Sequence, residues 1–136
     1  MKLTKKQRAE LREKFGGRCA YCGCDLPERW HADHVEPVTR DLLSKQNPNG
    51  TWRLVSGKPL KPHLDHIDNM NPACPPCNIS KGGQSIESWR KWIAGHINSL
   101  NSYHPIYRLA KAYGLVVETQ APVTFYFERL AMECDA

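Results

Sequence analysis

Cys19-Ala-Tyr-Cys22 and Cys74-Pro-Pro-Cys77 stand on either side of His31-Ala-Asp33-His34, and Asn78 follows the last cysteine directly. Two C-x2-C pairs supply four thiolates, the donor set of one tetrahedral zinc, an ion with no redox role that holds chain segments together. Redox-active C-x-x-C pairs are the alternative, but two pairs of similar style favour metal over redox chemistry. An Asp beside a His, with a carboxamide fixed next to a clamp, is different equipment. It suits a hard, oxygen-preferring cation placed next to a proton acceptor. The clamps are about fifty residues apart. Closing such a loop costs only logarithmically in its length, whereas zinc–thiolate binding contributes roughly 10 kcal/mol or more.

The 136 residues read most simply as one domain, with a modest core that gains from a metal staple. The start, Met1-Lys2-Leu3-Thr4-Lys5-Lys6-Gln7, carries no signal-peptide pattern, and no apolar run has the length of a membrane span. The expected setting is a reducing cytoplasm with the clamp cysteines on metal and Cys24 and Cys134 as ordinary thiols. The formal net charge of +5 is unevenly distributed. Residues 1–20 hold seven Lys or Arg against two Glu, and residues 42–64 hold Lys45, Arg53, Lys58 and Lys61 without an acid. Beyond Lys111, by contrast, Glu118, Glu128, Glu133 and Asp135 face only Arg129. A basic body fits a polyanion, most simply nucleic acid, although basic helices are often only solvated faces.

Thr4 and Gln7 make a capping-box start for a first helix that Gly16-Gly17 stops. Residues 29–38 can be extended, and Pro37 argues against a central strand there. Asn49-Gly50 followed by Thr51 to Val55 predicts a hairpin or ordered excursion within 39–64. Ile86, Trp89, Ile93, Ile97 and Leu100 form one helical stripe, and Ile106, Leu109, Ala110 and Tyr113 a second that starts at Pro105. Residues 115–118 and 123–128 read as strands, the latter alternating Val123, Phe125 and Phe127 inward. These stripes are expected to build a C-terminal core.

Arg18-Cys19-Ala20-Tyr21-Cys22-Gly23, Asp33-His34-Val35-Glu36-Pro37 and the run from Asp68-Asn69 through Cys74-Pro75-Pro76-Cys77-Asn78 to Lys81-Gly82 resemble the four-cysteine HNH endonucleases. The resemblance covers roughly residues 12–90, and the region after 85 is similar, more weakly, to phage-encoded members. It implies an α+β fold: a ββα-metal (His-Me finger) core stapled by a four-cysteine zinc site, with an N-terminal helix and C-terminal helices plus short strands. It also divides the single domain 1–136 into a core at about 12–90, an insert at 39–64 and an extension at 85–136. By resemblance, Asp33 and Asn78 ligate Mg2+ or Mn2+, His34 is the general base, and Asn69 holds the loop and orients that base. Asn78 in place of His is similar to the HNN subtype. The long insert and a second pair, Asp65-His66, depart from the pattern.

The implied activity is metal-dependent hydrolysis of DNA, by nicking or double-strand cleavage, in a monomer or a homodimer. The chemistry agrees with these roles: a phosphodiester needs a cation to offset charge, and histidine titrates near neutrality. Successive strand residues point to opposite faces, so Asp33 and His34 require a local distortion to share one site. Lys81 is expected to contact phosphate beside the metal, and Lys45, Arg53, Lys58 and Lys61 to follow the DNA backbone. Asp65-His66 reads as an ordinary pair. His31, His63, His96 and His104 read as structural or phosphate-facing, and Trp52 and Trp92 as packed or base-stacking. The competing readings are a zinc-stapled nucleic-acid-binding module without catalysis, and a nuclease for RNA or structured DNA.

Overall fold

Thr4 begins the first helix with a full capping box: its hydroxyl accepts the Gln7 N–H, and the Gln7 side chain accepts the Thr4 N–H. In the computed structural model, which describes residues 1–135, this helix is α1 (Lys5–Arg12). The elements that follow are β1 (His31–His34), β2 (Arg40–Gln46), β3 (Trp52–Pro59), β4 (Met70–Ala73), α2 (Pro75–Lys81), α3 (Ile86–Ala94), α4 (His96–Tyr103), α5 (Pro105–Ala112) and α6 (Tyr126–Asp135). The fold is therefore α+β, with two small antiparallel sheets among the described residues. No helix among the described residues is long and apolar enough to cross a membrane.

β1 pairs with β4 in unbroken register, His31 opposite Ala73 and His34 opposite Met70. The chain between them leaves as the expected hairpin, in which β2 and β3 pair with each other, Lys45 opposite Arg53. At its base Leu60 N–H donates to Thr39 O at 2.8 Å and Lys61 N–H to Val38 O at 3.2 Å. Thr39 turns the chain with φ 48°, a left-handed conformation that is costly for a β-branched residue. Leu42, Trp52 and Leu54 project from the hairpin into solvent.

The core gathers around Tyr21 of the first clamp. Trp89 and Phe125 stack at 4.8 Å, and Tyr21 meets both edge-on at 5.1 and 5.7 Å. Gly23, at φ 79°, closes this clamp where a β-carbon would stand 3.1 Å from the Tyr126 ring.

Two expectations for the C-terminal half are corrected. Residues 115–118 form no strand, and the segment expected as a strand at 123–128 runs into α6 instead. Val123, Phe125 and Phe127 do turn inward. However, Glu128 accepts the Phe125 N–H at 3.0 Å and Arg129 N–H donates back to Phe125 O at 3.0 Å, which starts a helix. The stripe from Ile86 to Leu100 is broken at Gly95 between α3 and α4. The stripe of α5 does not join the core: Ile106 is 84% exposed and Tyr113 79%. Asn101, Tyr107 and Lys111 converge instead with Glu118, so α5 is held through its polar side.

Candidate functional site

The four clamp thiols converge: the ligand atoms of Cys19, Cys22, Cys74 and Cys77 all lie within 4.8 Å of one another. A tetrahedral thiolate site with metal–sulfur bonds of about 2.3 Å has sulfur–sulfur edges of about 3.8 Å. The Cys22–Cys74 separation of 3.7 Å matches that edge. Cys19 Sγ also accepts the Tyr21 and Cys74 amides, each at 3.4 Å. The bond from Cys77 first, then backbone amides, pull the Cys19 thiol down to about 4, while the same contact and burial push Cys77 up. One thiolate thus opposes the next, and a bound cation removes that conflict. The cluster has the donors and the geometry to hold a metal ion.

A short way along the chain from this cluster's first pair, the second group forms where β1 meets α2. Asp33, His34 and Asn78 line one cavity of about 300 Å³, whose far wall is Pro37, Val38 and Thr39 at the root of the hairpin. β1 carries no bulge, so the expected distortion is absent and its alternation decides the geometry. Asp33 is buried, and its Oδ2 accepts from the Tyr21 hydroxyl and from Lys81 Nζ, the latter at 3.1 Å. Burial first, and then the Asp33 charge, hold the Tyr21 phenol well above its ordinary value, so it remains a proton donor to that carboxylate. Asp33 Oδ1 has no partner among the described residues, and neither has the Asn78 side chain. No fully enclosed side-chain oxygen among the described residues lacks a partner, so Asp33 Oδ1 is not sealed off, and Asp33 lines the cavity.

Lys81 corrects its expected role. It is 1% exposed, and its ammonium donates to His34 O at 2.7 Å as well as pairing with Asp33. Sitting under β1, it is sealed from any phosphate and instead fixes the two residues above it.

His34 turns the other way, placing Nε2 2.9 Å from Asp65 Oδ1. The amine of Met1 first, and then His34, hold the Asp65 carboxyl below its ordinary range, so Asp65 is the acceptor of this bond and the imidazole Nε2 the donor. In the neutral imidazole this pairing leaves Nδ1 as the acceptor nitrogen. Asp65, set aside as half of an ordinary pair, is thus the residue that sequence reasoning missed. The hairpin alone brings it back to His34 across 31 positions, and no local spacing signals that. Asn69 ties the loops flanking this contact: its amide donates to Glu36 O at 2.9 Å and Leu64 O at 2.8 Å, and its Oδ1 accepts the Glu36 N–H at 3.1 Å.

The hairpin cations Lys45, Arg53, Lys58 and Lys61 are all exposed and lie apart from the residues that line the cavity, although Arg53 also bonds Asn47. No protein-family model, curated protein or solved structure matches the chain.

Proposed function

We propose that this chain is a metal-dependent DNA endonuclease of the HNH type, with a ββα-metal core and a structural zinc. The observation that supports it most is the convergence of Asp33, His34 and Asn78 on one cavity, beside a four-thiol cluster. β1, β4 and α2 supply strand, strand and helix in that order. An all-thiolate tetrahedron suits zinc above other abundant divalent ions. Asp33 Oδ1 and the Asn78 amide oxygen fit a hard cation, so these residues would hold Mg2+ or Mn2+, whose chemistry there is to offset charge on the phosphate and its departing oxygen.

The remaining work falls to the chain itself. Asp65 fixes the imidazole with Nδ1 unprotonated, and Nδ1 accepts the proton of the attacking water. Tyr21 and Lys81 immobilise Asp33 Oδ2, which leaves Oδ1 pointing at one place. Asn69 keeps the loops around the His34–Asp65 contact from drifting. Lys45, Arg53, Lys58 and Lys61 present positive charge on an arm rooted in the cavity wall, suited to a DNA backbone. Neutralising two of them should weaken binding alike on all sequences and flatten its salt dependence.

The decisive experiment is cleavage of supercoiled plasmid, single-stranded DNA and RNA with Mg2+, Mn2+ or EDTA. His34→Ala should lower the rate about a hundredfold or more while keeping zinc content and DNA affinity. Open circles should precede linear plasmid, because one set of residues addresses one phosphate. DNA binding without cleavage in either metal would leave only a binding module.

A further inference from the structure

His34 and Ala32 belong to two cavities. On the side of β1 away from Asn78 lies a second one, of about 670 Å³, whose charged walls are Lys2, Arg8, Glu28, Arg29, His31 and His34. Three fixed cations there face one carboxylate. Lys2 and Arg29 make no ion pair among the described residues. Arg8 is held in place without losing its charge: its guanidinium lies 4.0 Å over the Trp30 ring and donates one N–H to Trp30 O at 2.7 Å. Trp30 itself is buried, which gives that stack a rigid floor. The other guanidinium nitrogens of Arg8 have no partner among the described residues. A concave surface with a preorganised guanidinium and three fixed cations against one carboxylate suits a phosphate.

Lys5, Lys6 and Lys91, by contrast, are exposed and line no wall of this cavity. The cations of this cavity instead gather beside His34, the residue that also lines the smaller cavity. A polynucleotide cannot offer a single phosphate: a strand with one phosphodiester at Asp33, His34 and Asn78 must pass its neighbour over one edge of β1. We infer that the cavity of Arg8, Arg29 and His31 seats the DNA phosphate adjacent to the one that is cleaved. This rests on reading His34 as the base at the scissile phosphate. It adds a direction to that reading: the strand crosses β1, running from the hairpin root toward α1.

The test uses the full-length, zinc-loaded protein and a short fluorescent DNA duplex, without Mg2+ or Mn2+, so that binding is read apart from cleavage. Arg29→Gln and Arg8→Gln/Arg29→Gln should weaken binding, and the slope of log affinity against log salt should become shallower by about one per arginine removed. Arg108→Gln/Lys111→Gln on α5 should leave the slope unchanged. Because Arg8 also packs on Trp30, Arg29→Gln alone settles the matter if the double variant loses its zinc. A neutral methylphosphonate flanking the cleaved bond on one side should cost wild type affinity and cost Arg29→Gln much less. Wild-type slope and wild-type methylphosphonate sensitivity in Arg29→Gln would overturn the inference, as would a wild-type chain that binds no DNA. A chain that meets these binding expectations yet cleaves nothing would keep the cavity and defeat the endonuclease reading instead.

Discussion

The body around the thiol cluster and the helical hairpin of α4 and α5 use similar apolar stripes to opposite ends. In the body, Trp89 of α3 is 2% exposed and packs against Phe125 and Tyr21, in one buried cluster with Cys19, Cys74 and β4 residues Met70 and Ala73. In α5, Ile106, Leu109 and Tyr113 stand at the same helical spacing but face solvent, and the Glu118 node holds the element from its polar side. Periodicity marks a face that prefers burial. It does not say whether a partner surface exists, and here the small core is built from residues around the thiol cluster and does not include α5.

Metal removal should break this contrast most violently. Cys74→Ser is expected to release the ion and unfold the body, a loss approaching the roughly 10 kcal/mol that such sites contribute. Metal analysis together with near-ultraviolet circular dichroism checks it, and a folded, metal-free variant would mean the aromatic core suffices. One step down, the two tryptophans of α3 should separate cleanly. Trp89→Ala should cost about 3–5 kcal/mol, whereas Trp92→Ala, at 52% exposure, should stay within about 0.5 kcal/mol in urea unfolding. Equal costs would show that the core extends across both faces of α3.

The link between α3 and α6 offers a finer probe. Arg90 bonds Glu128 at 2.6 Å and Val123 O at 2.6 Å, and this holds the Glu128 carboxyl below its ordinary value of 4.5. A depressed folded-state value means the contribution is complete above 4.5 and fades as pH falls below it. Glu128→Gln should therefore cost about 1 kcal/mol at neutral pH and flatten the acid limb of the stability profile. An unchanged acid limb would remove this pair from the account. The smallest effect is expected on α5. Ile106→Lys and Tyr113→Lys should shift stability by no more than about 0.5 kcal/mol while lowering binding of an apolar dye. A larger loss would place that stripe in the core after all.

What could be read in the chain beforehand follows the range of the interactions. The clamps, the Thr4 cap and the Asn49-Gly50 hairpin are written in adjacent residues, and the structure holds them as expected. α6 was hidden because Val123, Phe125 and Phe127 alternate like a strand, and only Glu128 three residues after Phe125 marks the helix start. Lys81 looked like a surface cation because its burial depends on Asp33 lying above it. Asp65 was unreadable because it meets His34 only after the hairpin closes, and the second cavity because it joins residues near the start of the chain to residues 28–34 through tertiary packing.

That hairpin also bears on the order of assembly. Cys22 and Cys74 are 52 positions apart, so no thiol cluster can form until most of the intervening chain has left the ribosome. β2 and β3 need only each other, and microseconds suffice for such a pair to meet. Once Leu60 bonds Thr39, the stretch left to be closed shrinks to roughly thirty residues, lowering the loop-closure cost by about 0.5 kcal/mol. The energy is minor, but the same contact shortens the path from β1 to Asp65 and Asn69, so the closure that eases the meeting of the two cysteine pairs also brings the neighbours of the His34 imidazole toward it.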